Sequence, residues 1–213
     1  MLRFHVITLF PEAIRSYFES SIIGRAQKAG KIKVSFYNPK EYTRDRRDRV
    51  DRRPYGGGPG MVLEPNAVLR AVSAAVGKKK AEIIFFSTAG KVFDEARAQK
   101  LSKKKDIILV CGHYEGVDER VVTILKAKKI SVGPYVVTGG ELPSAIVVDA
   151  VSRFVKGVLG KEESLEGSRV SSPEVYTRPE VFVWKNKSYK VPKILLSGHH
   201  AKINEWKTAK RMK

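Results

Sequence analysis

Three short apolar runs, at residues 83–86, 107–111 and 130–132, each lead into a glycine-bearing turn, at Gly90, Gly112 and Gly133. A near-continuous apolar strand must be covered on both faces, and the arrangement that does this is a parallel sheet between two layers of helices. Stretches 65–76, 92–101 and 118–126 supply the cover, since their apolar positions recur at helical spacing. The chain opens in the same order. An alternating strand over 2–9 is followed by a helix that starts at Pro11-Glu12, carries Ile14, Phe18, Ile22 and Ile23 inward, and ends at Gly30. A second strand follows at 32–37. The expected class is α/β with a parallel sheet. In such sheets ligands bind beyond the carboxyl ends of the strands, so the three turns are expected to converge on one crevice.

The turns at 112–116 and 133–140 are the richest in glycine, and glycine lets main-chain N–H and C=O groups approach a ligand with no side chain between. A pocket built this way suits a small polar cofactor with an adenine or amino-acid end better than a metal. His199 and His200 do not change that reading, because adjacent histidines diverge and no Cys or third His accompanies them.

Length and charge limit the rest. A chain of 213 residues holds one large domain and a small appendage. The 41 Lys and Arg against 22 Asp and Glu leave a formal charge of +19, which points to a polyanionic partner. The competing reading is a general lysine excess on a solvated surface. Cys111 is the single cysteine, so no intrachain disulfide forms and a reducing compartment is expected. As the end of an apolar strand it reads as core before nucleophile. The N-terminal MLRFHVITLF is broken by Arg3 and His5 and reads as a strand, not a signal peptide. No apolar run is long enough for a membrane span, and a cytoplasmic protein is expected.

The segment KEYTRDRRDRVDRR, residues 40–53, has almost nothing to bury. It is either a solvated loop laced with weak ion pairs or an arginine-bearing arm that reaches phosphates. The sequel PYGGGPGM favours the arm, because two prolines stiffen it and Tyr55 and Met61 could stack on a base.

The runs RRPYGGGPGM, CGHYEGVDER, SVGPYVVTGGELP, AVSRF, VYTRPEVF and VPKILLSGHHAKINEW occur in this order. Together they resemble the bacterial tRNA (guanine-N1)-methyltransferases of the SPOUT class, from the first strand to about Trp206. The resemblance implies a SPOUT-type α/β domain with a deep trefoil knot over 1–160, a linker over 161–172, and a small, reduced helical C-terminal tRNA-binding domain over 173–213. It implies a homodimer and S-adenosylmethionine bound in the knot. It also implies methyl transfer to N1 of the guanosine immediately 3′ of the anticodon, tRNA position 37, and it allows for Mg²⁺.

Matched position by position, the resemblance places the cofactor against Phe86 and Ser87, and against Gly112 and Glu115. It adds Val132, Gly133, Pro134, Tyr135, Val136 and Val137, with Gly139, Gly140 and Pro143 behind them. Tyr55, Gly57, Gly58, Arg178, His199 and Lys202 fall to the RNA. The chemistry needs in-line positioning, a base for the guanine N1 proton, and a donor for the charge that gathers on O6. Arg153 matches the family's arginine and is the candidate donor. Its alternative role is an ion pair with Asp149 one turn earlier. The linker KEESLEGSRVSSPEV has no aspartate where relatives carry one, so Glu166 is the candidate base, with Glu163 second. Pro134 removes a backbone donor inside the expected pocket. The competing functions are an RNA-binding SPOUT protein with weakened catalysis, and a SPOUT methyltransferase acting on another RNA.

Overall fold

Burial on both faces organises the first part of the chain. The computed structural model describes residues 1–159 and 174–211. In it, β1 (Leu2–Ile7) is followed by α1 (Glu12–Glu19), α2 (Ser21–Lys28) and β2 (Ile32–Tyr37). Two short strands, β3 (Asp51–Arg52) and β4 (Val62–Leu63), pair antiparallel and bring the chain to α3 (Pro65–Val76). Then come β5 (Glu82–Val92), α4 (Glu95–Ser102), β6 (Asp106–Val110), α5 (Glu119–Leu125), β7 (Lys128–Ser131) and α6 (Glu141–Ser152). The five long strands form one sheet in the order β2-β1-β6-β5-β7, and every neighbouring pair is parallel.

Alternation along the central strand feeds two cores. Ile107 and Leu109 of β6 pack with Phe18, Ile23, Leu101 and Val148, beneath α1, α2, α4 and α6. Ile108 and Val110 point the other way, to Val68, Val72 and Val121 of α3 and α5. All five β6 residues are buried, so each large apolar side chain there contributes roughly 1.5–3 kcal/mol of transfer free energy.

Three local expectations are corrected. The single helix expected from Pro11 to Gly30 is two helices, because Ser20 is extended (φ −106°, ψ 166°) and Ser21 sits at positive φ. A side chain at Gly24 would strike the Glu19 carbonyl, so glycine is what permits this break. Ile22 consequently faces solvent, while Ile14, Phe18 and Ile23 are buried. Second, β5 does not stop at Phe86. Its pairing with β7 shifts register between Phe86 and Lys91 and resumes, so Gly90 lies against the Ile130 backbone instead of in a cleft turn. Third, the arginine-rich segment is not wholly solvated. Val50 is buried with Leu63 in the second core, and Asp45 ties the segment together by accepting from Arg52 at 2.6 Å. The Arg52 guanidinium, with the Arg47 backbone N–H, holds the Asp45 carboxyl well below the usual range.

Residues Met1–Leu159 form one compact unit and Gly160–Lys213 a second. Within the second, β8 (Val181–Trp184) and β9 (Lys187–Lys190) make an antiparallel hairpin, followed by α7 (Lys193–Leu196) and α8 (His200–Arg211). Among the described residues no helix is long and apolar enough to cross a membrane.

At the amino end of β6, Asp106 is buried and accepts from Arg3 on both carboxylate oxygens, with the His5 ring 2.9 Å from one of them. The Arg3 hydrogen bond is the main reason its pKa falls to about 2. A lowered native pKa adds stability that is complete above the unfolded carboxylate range and is lost as pH falls through the native value. Asp106→Asn should therefore cost about 1.5–3 kcal/mol at neutral pH. The gap between variant and parent should close between about pH 4 and pH 2. Urea titrations across that range measure it, and a gap that stays constant with pH would contradict the assignment.

Candidate active site

The stretch of β5 at its register break and the segments that leave the carboxyl ends of β6 and β7 surround a cleft of about 350 Å³, within the size range of small-molecule sites. The first segment contributes Phe85, Phe86, Ser87 and Thr88, and the second Gly112, His113, Tyr114, Glu115 and Gly116. The third contributes Val132, Gly133, Tyr135, Val136, Val137, Thr138 and Gly139, and Gly140 and Pro143 close the wall where α6 begins. Every residue expected at the cofactor therefore lies on this wall except Pro134, which is exposed between Gly133 and Tyr135 and does not line the cleft.

Main-chain contacts hold the wall together. The Gly140 N–H donates to the Gly112 carbonyl at 2.9 Å, and His113 forms a single antiparallel bridge with Gly139. Gly140 has an ordinary negative φ, so what it supplies is room. A Cβ there would lie 2.5 Å from the Cys111 Cα and 3.1 Å from the Gly112 nitrogen. The Ser131 hydroxyl both donates to the Gly133 carbonyl (2.9 Å) and accepts from the Gly133 N–H (3.2 Å), and the Tyr135 hydroxyl donates to the Val132 carbonyl (3.2 Å). Gly116 has φ 120°, and a Cβ there would meet nothing within 4 Å.

The glycine-proline loop is tied to the same wall. Glu115 N–H donates to the Met61 carbonyl at 3.0 Å, and Leu63 N–H donates to the Gly116 carbonyl at 3.0 Å. A side chain at Gly60 would strike the Glu115 carboxylate. The loop's other end is free in solvent, with Tyr55 fully exposed and Gly57 and Gly58 exposed at positive φ.

Sequence reading missed Thr88, His113, Tyr114 and Thr138 on the wall, and the buried Glu141 behind it. Glu141 accepts from the Thr8 hydroxyl at 2.6 Å, and the His113 Nδ1, which has no hydrogen-bond partner, lies 3.9 Å from its other oxygen. The rings of Phe10 and Tyr114 flank His113 at 4.6 and 4.7 Å. His113 and Tyr114 stood inside the expected turn and could have been included. Glu141 gave no local signal, since its partner lies 133 positions away in sequence. Cys111 is buried, and burial first and the Glu141 charge second push its thiol well above the usual value, which suits core packing and not nucleophilic attack.

Arg153 caps the far end of α6, where its N–H donates to the Asp149 carbonyl at 3.2 Å. A helix of 12 residues is about 18 Å long, and Arg153 is not among the residues lining the cleft. Asp149 accepts from the Tyr17 hydroxyl at 2.5 Å, and that bond pushes the Tyr17 phenol up to about 12. Glu163 and Glu166 lie outside the described residues. Arg178, His199 and Lys202 are exposed in the second unit, where the His199 N–H donates to the Ser197 hydroxyl. Among the described residues no group of three or more His, Cys, Asp and Glu could hold a metal ion.

A fully parallel sheet between two helical layers, with a cleft of small-molecule size at its carboxyl edge, defines an α/β protein of the kind that carries its ligand sites at that edge. The sequence model described as tRNA (Guanine-1)-methyltransferase TrmD matches residues 2–213, and the chain belongs to that family of methyltransferase enzymes. It is 41% identical to a tRNA (guanine-N(1)-)-methyltransferase of Clostridioides difficile (strain 630), over 97% of this chain and 90% of that protein. A protein of the same name from Dictyoglomus turgidum is 43% identical over 100% of this chain and 86% of its own length. One from Pseudoalteromonas atlantica is 43% identical over 96% and 78%.

Proposed function

We propose that this enzyme transfers the methyl group of S-adenosylmethionine to N1 of the guanosine immediately 3′ of the anticodon, position 37 of tRNA, in the cytoplasm. The observation that carries the reading is the seam between residues 112–116 and 132–140, where main-chain contacts close one side of a cofactor-sized cleft. We further propose that this seam is where the chain threads the family's knot. Residues 1–160 then serve the cofactor, 161–172 act as linker, and 173–213 grip tRNA through Arg178, His199 and Lys202.

The wall fits the methyl donor. Its volume suits a small molecule, Gly116 leaves open space where a Cβ would stand, and the rings of Phe85 and Tyr135 offer flat apolar surface. Glu115 places a carboxylate on the wall, the charge that a cationic ligand favours. When bound, S-adenosylmethionine supplies an electrophilic methyl sulfonium. The chain's part is to hold the reacting groups in line, exclude water, and take the N1 proton, for which Glu166 is the proposed base.

Supporting a homodimer, Leu142 and Ile146 lie one turn apart on α6 and are exposed, on the stripe that continues to Arg153. A second copy covering that stripe would bring its own Arg153 toward this chain's cleft. Unmodified tRNA and methyl-labelled cofactor test the reading, with label expected at N1 of the target guanosine and with Mg²⁺ present or withheld. Label in ribosomal RNA, or none despite cofactor binding, would refute it. Glu166→Gln should slow transfer and leave cofactor affinity as it was; unchanged turnover would remove it as the base.

A further inference from the structure

Because the sheet is parallel, every connection that leads into a strand lies on one edge, opposite the cleft. Those connections are rich in lysine. Lys78, Lys79 and Lys80 precede β5, and Lys103, Lys104 and Lys105 precede β6. Lys126 and Lys128 lead into and begin β7, and Lys31 precedes β2. All of them are exposed. The strand order β2-β1-β6-β5-β7 sets these groups side by side as one cationic row, with Arg3 of β1 between.

The acids on this edge are already engaged. Asp106 is held by Arg3 and His5, while Glu82 pairs with Lys104 at 3.5 Å and with Lys128. A groove of about 590 Å³ opens at the β5-β7 end of the row. Arg97, Lys100 and Lys103 line it, together with Glu82 and Asp94, whose carboxylates are engaged by Lys104, by Lys128 and by the Arg97 backbone N–H. A recess of this size under a cationic rim can admit a nucleotide while the rim holds its phosphate. A second copy of this chain does not suit the row, because cation would face cation.

We propose that the amino edge of the sheet is a second RNA-binding surface, which grips phosphodiester backbone on the side of the domain away from the methyl-transfer cleft. RNA is preferred to an anionic membrane because the row incorporates a recessed groove of nucleotide size, for which a flat lipid surface has no use. The choice of RNA as polyanion rests on the tRNA reading above.

The test neutralises Lys78, Lys79, Lys80, Lys103 and Lys105 to glutamine together, sparing the lysines that hold Glu82. Thermal midpoint, cofactor affinity and kcat at saturating tRNA should match the parent. The Kd for tRNA should rise about tenfold or more at ~0.1 M salt, and the slope of log affinity against log salt should flatten by about 2 to 4, near 0.9 for each phosphate no longer neutralised. An unchanged Kd and slope overturn the proposal. So does a loss of binding to phosphatidylglycerol vesicles with tRNA binding intact. If the glutamine set lowers the thermal midpoint, the Lys→Arg set decides, since a surface that works by charge keeps its affinity and any other loses it. A stem-loop lacking the target guanosine separates this inference from the proposed reaction. Edge-dependent binding of that RNA by a protein that methylates no tRNA would sink the reaction and leave the surface standing.

Discussion

Arg153→Ala is expected to lower kcat for methyl transfer by about 10²–10³-fold while the Kd for S-adenosylmethionine stays within about twofold. The argument combines chemistry with distance. Removing the N1 proton leaves negative charge that spreads to the guanine O6, and a fixed guanidinium stabilises that charge only as it develops, so its loss falls on kcat. Arg153 stands at the far end of α6 from Gly140 and Pro143, outside the cleft wall of its own chain. It should therefore act across a dimer. Mixing Arg153→Ala chains with chains whose cleft is blocked by Val137→Arg should restore part of the activity, because one composite site then has both a sound cleft and an arginine. No recovery from mixed chains, together with a monomeric mass by light scattering, would defeat the two-chain arrangement. A loss that appeared in cofactor affinity instead would make Arg153 a structural group.

Gly140→Ala should cost about 3 kcal/mol or more and lower the thermal midpoint by roughly 6–12 °C. One added methyl produces this because its obstacle is backbone: the Cys111 Cα at 2.5 Å and the Gly112 nitrogen at 3.1 Å cannot swing aside as a long side chain could. Relief requires residues 139–140 to move away from 111–112, which breaks the hydrogen bond between Gly140 and Gly112 and opens the cleft. Cofactor affinity should fall with stability. Differential scanning calorimetry and calorimetric titration of the same sample would show both, and an unperturbed midpoint would mean the two segments are less closely apposed than described.

The parallel sheet was legible because β6 is apolar on both faces, a pattern that leaves few alternatives to two helical layers. The cleft was legible in outline for a related reason, since glycine-rich turns beyond such strands have one edge on which to gather. What composition could not reveal were contacts between distant segments. Nothing near Glu141 announces Thr8, and nothing near Gly90 announces that its missing side chain makes room for Ile130 and not for a ligand. The break at Ser20 was hidden too, because Ile14, Phe18, Ile22 and Ile23 satisfy helical spacing straight through it and only the Glu19 carbonyl against Gly24 shows the turn. Arg153 was named from its motif, but its separation from the cleft follows from helix length and needed the fold.

The buried central strand has one further consequence. β6 is anchored by Asp106 at its amino end and runs directly into Cys111 and Gly112 at the cleft. A floor that continues the most deeply embedded strand has little freedom left to lose when a ligand arrives. The entropic cost of docking a ligand there is therefore expected to fall on the outer segments, the glycine-proline loop above all.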